Sequence, residues 1–290
     1  MTALVVRALS GSALYQDQGR RHLDSGVPTS GAFDGYAHAA ATALVGGSGT
    51  QASLEVVGTI TLEADVPVTC AVTGRARVSV AGREVAAWTA LDVPAGAALE
   101  VHAEGRAYVA VAGGLQPRSV LGSRSTCLLG PIGPAPVGIG DRLPMTSSCT
   151  SSSAGDFVRP PLTSPVVRVV PGPHLRIAAG EVHVLEASRI GVRLTAGRLE
   201  DGASRTRADL PSLGVIPGTV QVLPSGDWMV LGPDAGTMGG YPVAGVVASA
   251  DLAALAHVVP GDVVRLHVIS VRDAPDPPSP AIVHVHGLGG

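Results

Sequence analysis

The segment GPDAGTMGGYP, Gly232 to Pro242, sets a carboxylate (Asp234), a hydroxyl (Thr237) and a phenol (Tyr241) among Gly236, Gly239 and Gly240. A loop of that make-up can bring polar tips and backbone N–H groups close to a small ligand, the glycines removing the side chains that would keep it away. It can equally be a tight turn between two strands. Just after an apolar run, LEASRIGVRLTAG adds Ser188, Arg189 and Arg193. Polar residues at a strand end are where sites are often built, and strand-edge arginines are the plain alternative. Together these segments offer Asp234, Thr237 and Tyr241 as catalytic candidates. Ser188 and Arg189 are substrate-binding candidates, with Gly239 and Gly240 acting through backbone.

Two more stretches are dense in polar groups. QDQGRRHLDSGVPTSGAFDGYAHAAA (Gln16–Ala41) crowds Arg20, Arg21, His22, Asp24, Ser30 and Asp34 into a Gly/Pro-broken loop that feeds a helix start. Guanidinium forks suit carboxylates and phosphates, and helix starts attract anions. The other reading is a capped helix with a solvated loop. AGGLQPRSVLGSRSTCLLGP (Ala112–Pro131) carries Arg118, Ser123, Arg124, Ser125 and Thr126 on a second glycine loop, or a simple connector. Arg20, Asp34 and Arg124 join the substrate-binding candidates, and these two stretches are expected to share one pocket region. No GxSxG elbow, HExxH or phosphate-cradling GxxxxGK[ST] occurs. His284 and His286 share one face if extended, but no third ligand is visible, so no metal site is assigned.

The elements that must hold these residues are mostly strands. Runs such as ITLEADVPVTCAVTG, AYVAVAGG, EVHVLEAS and DVVRLHVISV are rich in Val and Ala and end at Gly or Pro at short intervals, the spacing of barrels and sandwiches. Gly 38 and Pro 23 of 290 residues are scattered as turn punctuation. Phe33–Gly47 reads as a helix with Ser30 as N-cap, and Ser249–Asp262 as about two turns capped by Ser249. TSSCTSSSAGDFVRPP (Thr146–Pro161) is the one compositional break, and it divides the chain into barrel-like β domains over 1–150 and 151–290. A net charge of −3 without basic stripes argues against nucleic acid. No secretory or membrane-spanning pattern appears, which reads as a soluble cytoplasmic chain. Cys70, Cys127 and Cys149 form no framework and read as idle thiols.

Read together, QDQGRRHLDSGVPTSGAFD, AVTG, VLGSRST, ASRIGVRL, LGVIPGTVQVLPSGDWMVL, TMGGYPVAGVV and DLAALAHVVPGDVVRL resemble, in order, the family of 5-oxoprolinase C subunits, also described as allophanate hydrolase subunit 2. The resemblance covers about residues 5–270. It departs at Ala235 and Gly236, where the family has Arg and Gln, and at His174, Ile190 and His257. It implies two cyclophilin-like β-barrel domains with a few short helices. It also implies partners, a B-type homologue in a heterodimer or heterotetramer, and an A-type homologue. The implied reaction is ATP-dependent opening of 5-oxoproline to glutamate, in which Arg189 would hold the substrate carboxylate and Asp234 accept its N–H. A sister reading is carboxyl transfer in a urea carboxylase or allophanate hydrolase system, with biotin on a separate carrier, since this chain has no lysine to bear it. A third is a regulatory antagonist of a sensor-kinase inhibitor homologous to the B-type partner.

Overall fold

The computed structural model describes residues 3–21, 23–146, 154–161, 166–200 and 210–284. His22, Cys149, His286 and the terminal glycines lie outside the described residues.

The first half is one antiparallel sheet. It contains β1 (Ala3–Gln16), β2 (Ser53–Ala64), β3 (Val68–Val80), β4 (Arg83–Val85), β5 (Ala90–Val93), β6 (Ala98–Val111) and β7 (Arg142–Pro144). The order is β4-β3-β6-β2-β1-β7, with β5 also on β3. Alternation in β2 and β6 turns Ile60, Leu62, Leu99 and Val101 into a dry core with Leu54 and Val72. Gly11 faces Gly58 across β1 and β2, both at left-handed φ (107° and 91°). A Cβ on either would strike the other strand's backbone carbonyl, so the close approach of this long pair requires a glycine on both strands. The helix α1 (Gly35–Leu44) packs its buried alanines and Leu44 against Ala71, Tyr108 and Trp88.

The second half closes into a barrel of seven strands. These are β9 (Val166–Pro171), β10 (Gly180–Ala187), β11 (Gly191–Leu194), β13 (Thr219–Val222), β14 (Trp228–Leu231), β16 (Val243–Val247) and β17 (Val263–Val268). A parallel pair, β9 with β17, completes the ring. Trp228 is wholly buried at its centre among Val192, Leu194 and Val220. A small ribbon, β12 (Leu213–Gly214) with β15 (Met238–Gly239), stands outside the barrel, and α2 (Leu252–Leu255) follows β16. The chain is thus mostly β, as its short apolar runs imply.

Two segments numbered beyond 150 return to the first half. β8 (Phe157–Val158) pairs with β18 (Ile282–Val283), and Thr89 bridges to Phe157. Val158 and Ile282 pack beside Trp88 and Tyr108.

Both expected helix caps differ. The cap of α1 is Asp34, whose Oδ1 accepts the Ala37 N–H at 2.9 Å. Ser30 lies upstream at φ 51°, its own N–H held by the Pro233 carbonyl of the second half. Ser249 makes no cap bond. It opens a 3₁₀ turn whose Asp251 instead takes the Arg168 N–H and guanidinium.

Candidate functional site

The centre of the molecule is a charge network that crosses between the halves. Glu55, near the start of β2, is 1% exposed, an unusual place for a carboxylate. Its Oε1 accepts Arg189 Nη1 at 2.7 Å and Arg106 Nη1 at 2.5 Å. Its Oε2 accepts the Tyr108 hydroxyl at 2.7 Å and the Phe33 N–H at 3.1 Å. Burial alone would raise the Glu55 pKa. The charges of Arg106 and Arg189, with these two hydrogen bonds, outweigh burial and hold it at about 2. Tyr108 is pushed up by burial and by Glu55, so it stays a neutral donor.

Arg189 also donates Nε to Asp234 Oδ2 at 2.8 Å, and Nη2 to Asp234 Oδ1 at 3.2 Å and to the Gly31 carbonyl at 2.7 Å. Burial lowers the Arg189 pKa, but Glu55 and Asp234 more than reverse this and the net direction is up. The chain of bonds continues from Tyr108. Its oxygen accepts the Asp34 N–H at 2.8 Å, and Asp34 Oδ2 meets His257 Nε2 at 2.8 Å. Arg106 adds a bond to the Ala256 carbonyl and lies over the Phe33 ring.

Three loops meet on one side of this network. Asp17 gathers the first two, accepting Ser123 Oγ, Ser125 Oγ and the Arg124 N–H. Arg20 Nη2 donates to the Ser125 carbonyl. Arg20–Asp34 and Arg118–Thr126 therefore meet, although the 118–126 stretch does not line the cleft on the helix side of the network. The third loop joins through Leu128 N–H to Asp234 Oδ2 and through Ser30 N–H to the Pro233 carbonyl. On the helix side, a cleft of about 1140 Å³ opens between the halves. Phe33, Tyr36 and Trp88 form its aromatic wall, and Asp34 with His257, Arg75 and Arg168 supply its polar groups.

Several sequence expectations need correction. Arg189 and Asp234 do not line an open cleft in the second barrel. They are 3% and 0% exposed and are bound to each other, so neither is free to hold a substrate carboxylate or N–H. Asp34 borders the interdomain cleft, but its two oxygens serve the α1 cap and His257. Arg124 donates Nη2 to Gln116. Gly239 owes its lack of a side chain to Gln221, whose amide nitrogen occupies the space a Cβ would need. Gly240 has room for one. Ser188 donates back to Gly191 at 3.2 Å and is exposed. Thr237 is buried, at 8% exposed, and of the two only Tyr241, 45% exposed, is open to another molecule.

Glu55, Arg106, Tyr108 and His257 were not among the expected residues. The signal was present for Glu55, a lone acid in the apolar run ASLEVVG, and for Arg106 ahead of AYVAVAGG. A charge inside a buried strand demands a partner. Among the described residues, no three His, Cys, Asp or Glu side chains are grouped to hold a metal ion, and no helix is long and apolar enough to cross a membrane. Cys70 and Cys127 are both buried.

Residues 25–268 match the family described as carboxyltransferase domain, subdomain A and B. The chain is 32% identical to the 5-oxoprolinase C subunit of Escherichia coli K12 over 289 aligned residues, which cover 89% of each. It is 29% identical to the Haemophilus influenzae protein of the same name, covering 90% of each. Among solved structures, TTHA0988 superposes with a TM-score of 0.82 at 30% identity. That match covers 93% of this chain and 56% of the TTHA0988 chain, so this chain spans about half its length. The Kluyveromyces lactis urea carboxylase superposes with a TM-score of 0.81 at 25% identity over 92% of this chain and 27% of that one.

Proposed function

Because the chain belongs to the carboxyltransferase domain family, subdomains A and B, we propose that it is the C-type subunit of a 5-oxoprolinase, acting with B-type and A-type partners to open 5-oxoproline to glutamate at the expense of ATP. The observation that carries this reading is the 32% identity to a 5-oxoprolinase C subunit over 89% of both chains. Opening an unstrained lactam in water is uphill near neutrality, which is a chemical reason for coupling to ATP. ATP would supply an activated amide by phosphorylating its oxygen. The chain has no phosphate-cradling motif, so the nucleotide is assigned to the complex as a whole.

This chain's own part is to present a substrate face that is completed by a partner. Tyr241 stands exposed on the 232–242 loop together with the buried Thr237, and Leu128, Leu129, Ile216 and Met238, from this and other loops, are each 48% exposed or more. Large apolar side chains left open on connected loops are the mark of a surface that another chain covers. Under such a cover, the Thr237 hydroxyl and the backbone at Gly239 and Gly240 would polarise the lactam carbonyl, while the Tyr241 ring walls the site. The buried Arg189–Asp234 pair holds the loop in place beneath.

The test is reconstitution. The purified chain is mixed with its B-type and A-type partners, ATP and 5-oxoproline, and glutamate is measured. Thr237→Val, which removes the donor, and Tyr241→Ala, which removes the ring wall, are expected to lower turnover about 10- to 100-fold while leaving the melting temperature unchanged. Full turnover in both variants would remove this face from the reaction. The likeness to urea carboxylase favours a second reading, carboxyl transfer from biotin on a separate carrier. Product formation from a carboxylated biotin carrier, with no glutamate from 5-oxoproline, would select it. Tight binding to a B-type homologue without any turnover would select the regulatory role.

A further inference from the structure

Arg20 is 2% exposed and makes no ion pair among the described residues. One of its nitrogens, Nη2, donates to the Ser125 carbonyl, while Nε and Nη1 are buried with no hydrogen-bond partner. The carboxylates nearest in charge are otherwise engaged. Asp17 accepts two seryl hydroxyls and the N–H groups of Gly19 and Arg124, and Asp234 holds Arg189. Burial accordingly lowers the Arg20 pKa, and the charges of Asp17 and Asp234 offset this only in part.

The same surroundings hold further orphans. The hydroxyl of Ser30 is buried and unpartnered, and its backbone runs beside Gly19 and Arg20. So is the hydroxyl of Thr126, the residue after the carbonyl that holds Arg20. Gln16, whose amide donates to the Thr126 carbonyl, keeps its Oε1 unpaired. Ser30 is moreover one of the few non-glycine residues held at left-handed φ. A buried guanidinium that meets no carboxylate directly is costly in a protein interior, and buried donors and acceptors without partners are rare.

We propose that Arg20 anchors an internal binding site for a small oxyanion, a carboxylate or a phosphate, between the 19–31 and 123–133 loops. Guanidinium nitrogens Nε and Nη1 bind the anion's oxygens, the Ser30 and Thr126 hydroxyls turn to donate, and Gln16 Oε1 suits a protonated oxygen of the ligand. This inference stands apart from the lactam reading. It concerns what the isolated chain binds, whatever reaction the complex performs.

The experiment uses the full chain alone, titrated with sodium phosphate, sodium acetate or 5-oxoproline against sodium chloride of equal ionic strength. A saturable rise in melting temperature with phosphate alone assigns a phosphate site, and a rise with acetate or 5-oxoproline a carboxylate site. Arg20→Met is expected to abolish the rise, and to melt no lower than the wild type without anion, because it removes an uncompensated charge. Arg21→Gln, an exposed neighbour, is expected to keep it. Should Arg20→Met fail to fold, ¹⁵N-arginine labelling of the wild type supplies the answer. Of the two most protected Nε–H resonances, Arg20's is expected to shift with anion and Arg189's to stay. No saturable effect of any anion, the same effect in Arg20→Met, or two unmoved resonances would overturn the proposal.

Discussion

Arg189 and Arg20 are equally buried guanidiniums on loops that touch, yet their surroundings are opposite. Arg189 has two carboxylates and a carbonyl around it, and its charge is reinforced. Arg20 has a single carbonyl, and its charge is disfavoured. In sequence they look alike, each an arginine beside a serine or glycine on a polar loop. An arginine tempting to assign to a ligand can thus already be occupied by the protein, and the one with vacant donors is the better candidate. The contrast also explains why Arg189 and Asp234 are poor mutational probes of catalysis: changing either dismantles the joint between the halves before it touches chemistry.

The largest expected effect is on that joint. Arg189→Met leaves Asp234 buried without its guanidinium and Glu55 with only one, and is expected to cost about 3–5 kcal/mol of unfolding free energy. Denaturant titration that finds under about 1 kcal/mol would erase the contrast between the two arginines. Acid should act on the same group. The Glu55 carboxyl has a folded-state pKa of about 2 against an ordinary 4.5, so its contribution is full above about 4.5 and is lost as pH falls from there towards 2. Melting followed across that window is expected to drop for the wild type and to drop less steeply for Glu55→Gln, which starts lower. Parallel curves would mean that Glu55 is not the group titrating. Arg20→Met is expected to be no less stable than the wild type in anion-free buffer, because it removes a buried charge with no ion-pair partner. A loss as large as that of Arg189→Met would show that Arg20 has a structural partner after all. The smallest effect belongs to Arg193, whose pair with Asp227 at 2.7 Å sits in solvent. Arg193→Gln is expected to leave the denaturation midpoint unchanged.

The strands were legible because their cue is local. Val/Ala/Leu runs ended by glycine or proline carry their period on their face, and EVHVLEAS and DVVRLHVISV became β10 and β17. The α1 stop was legible too, since Gly46 and Gly47 donate to the Ala43 and Thr42 carbonyls. The caps were not, because Ser30 and Asp34 are both good capping types and the choice was made by a long-range bond from Ser30 to Pro233. The site was half legible. The polar loops that carry Arg20, Ser125 and Asp234 do meet. Their division of labour depends on Glu55, which lies far from Arg189 in sequence and near it only after two separate cores have formed. Tyr108 and His257 joined through the same contacts, which no single stretch of sequence announces.

The pairing of β8 with β18 has a consequence for the chain as a polymer. Phe157–Val158 precede the barrel and Ile282–Val283 follow it, so this two-residue ribbon clips together the entrance and exit of the whole second half. A barrel whose two ends are fixed side by side on a folded neighbour has fewer unfolded conformations available to it than one hanging from a single strand. The clip thus acts as a loop closure over more than a hundred residues, for which chain statistics assign several kcal/mol of restricted entropy at most and only slow growth with length. Cutting the chain within the tail between β17 and β18 would break no barrel strand, yet would turn the second half from an insertion into an appendage and let it unfold on its own.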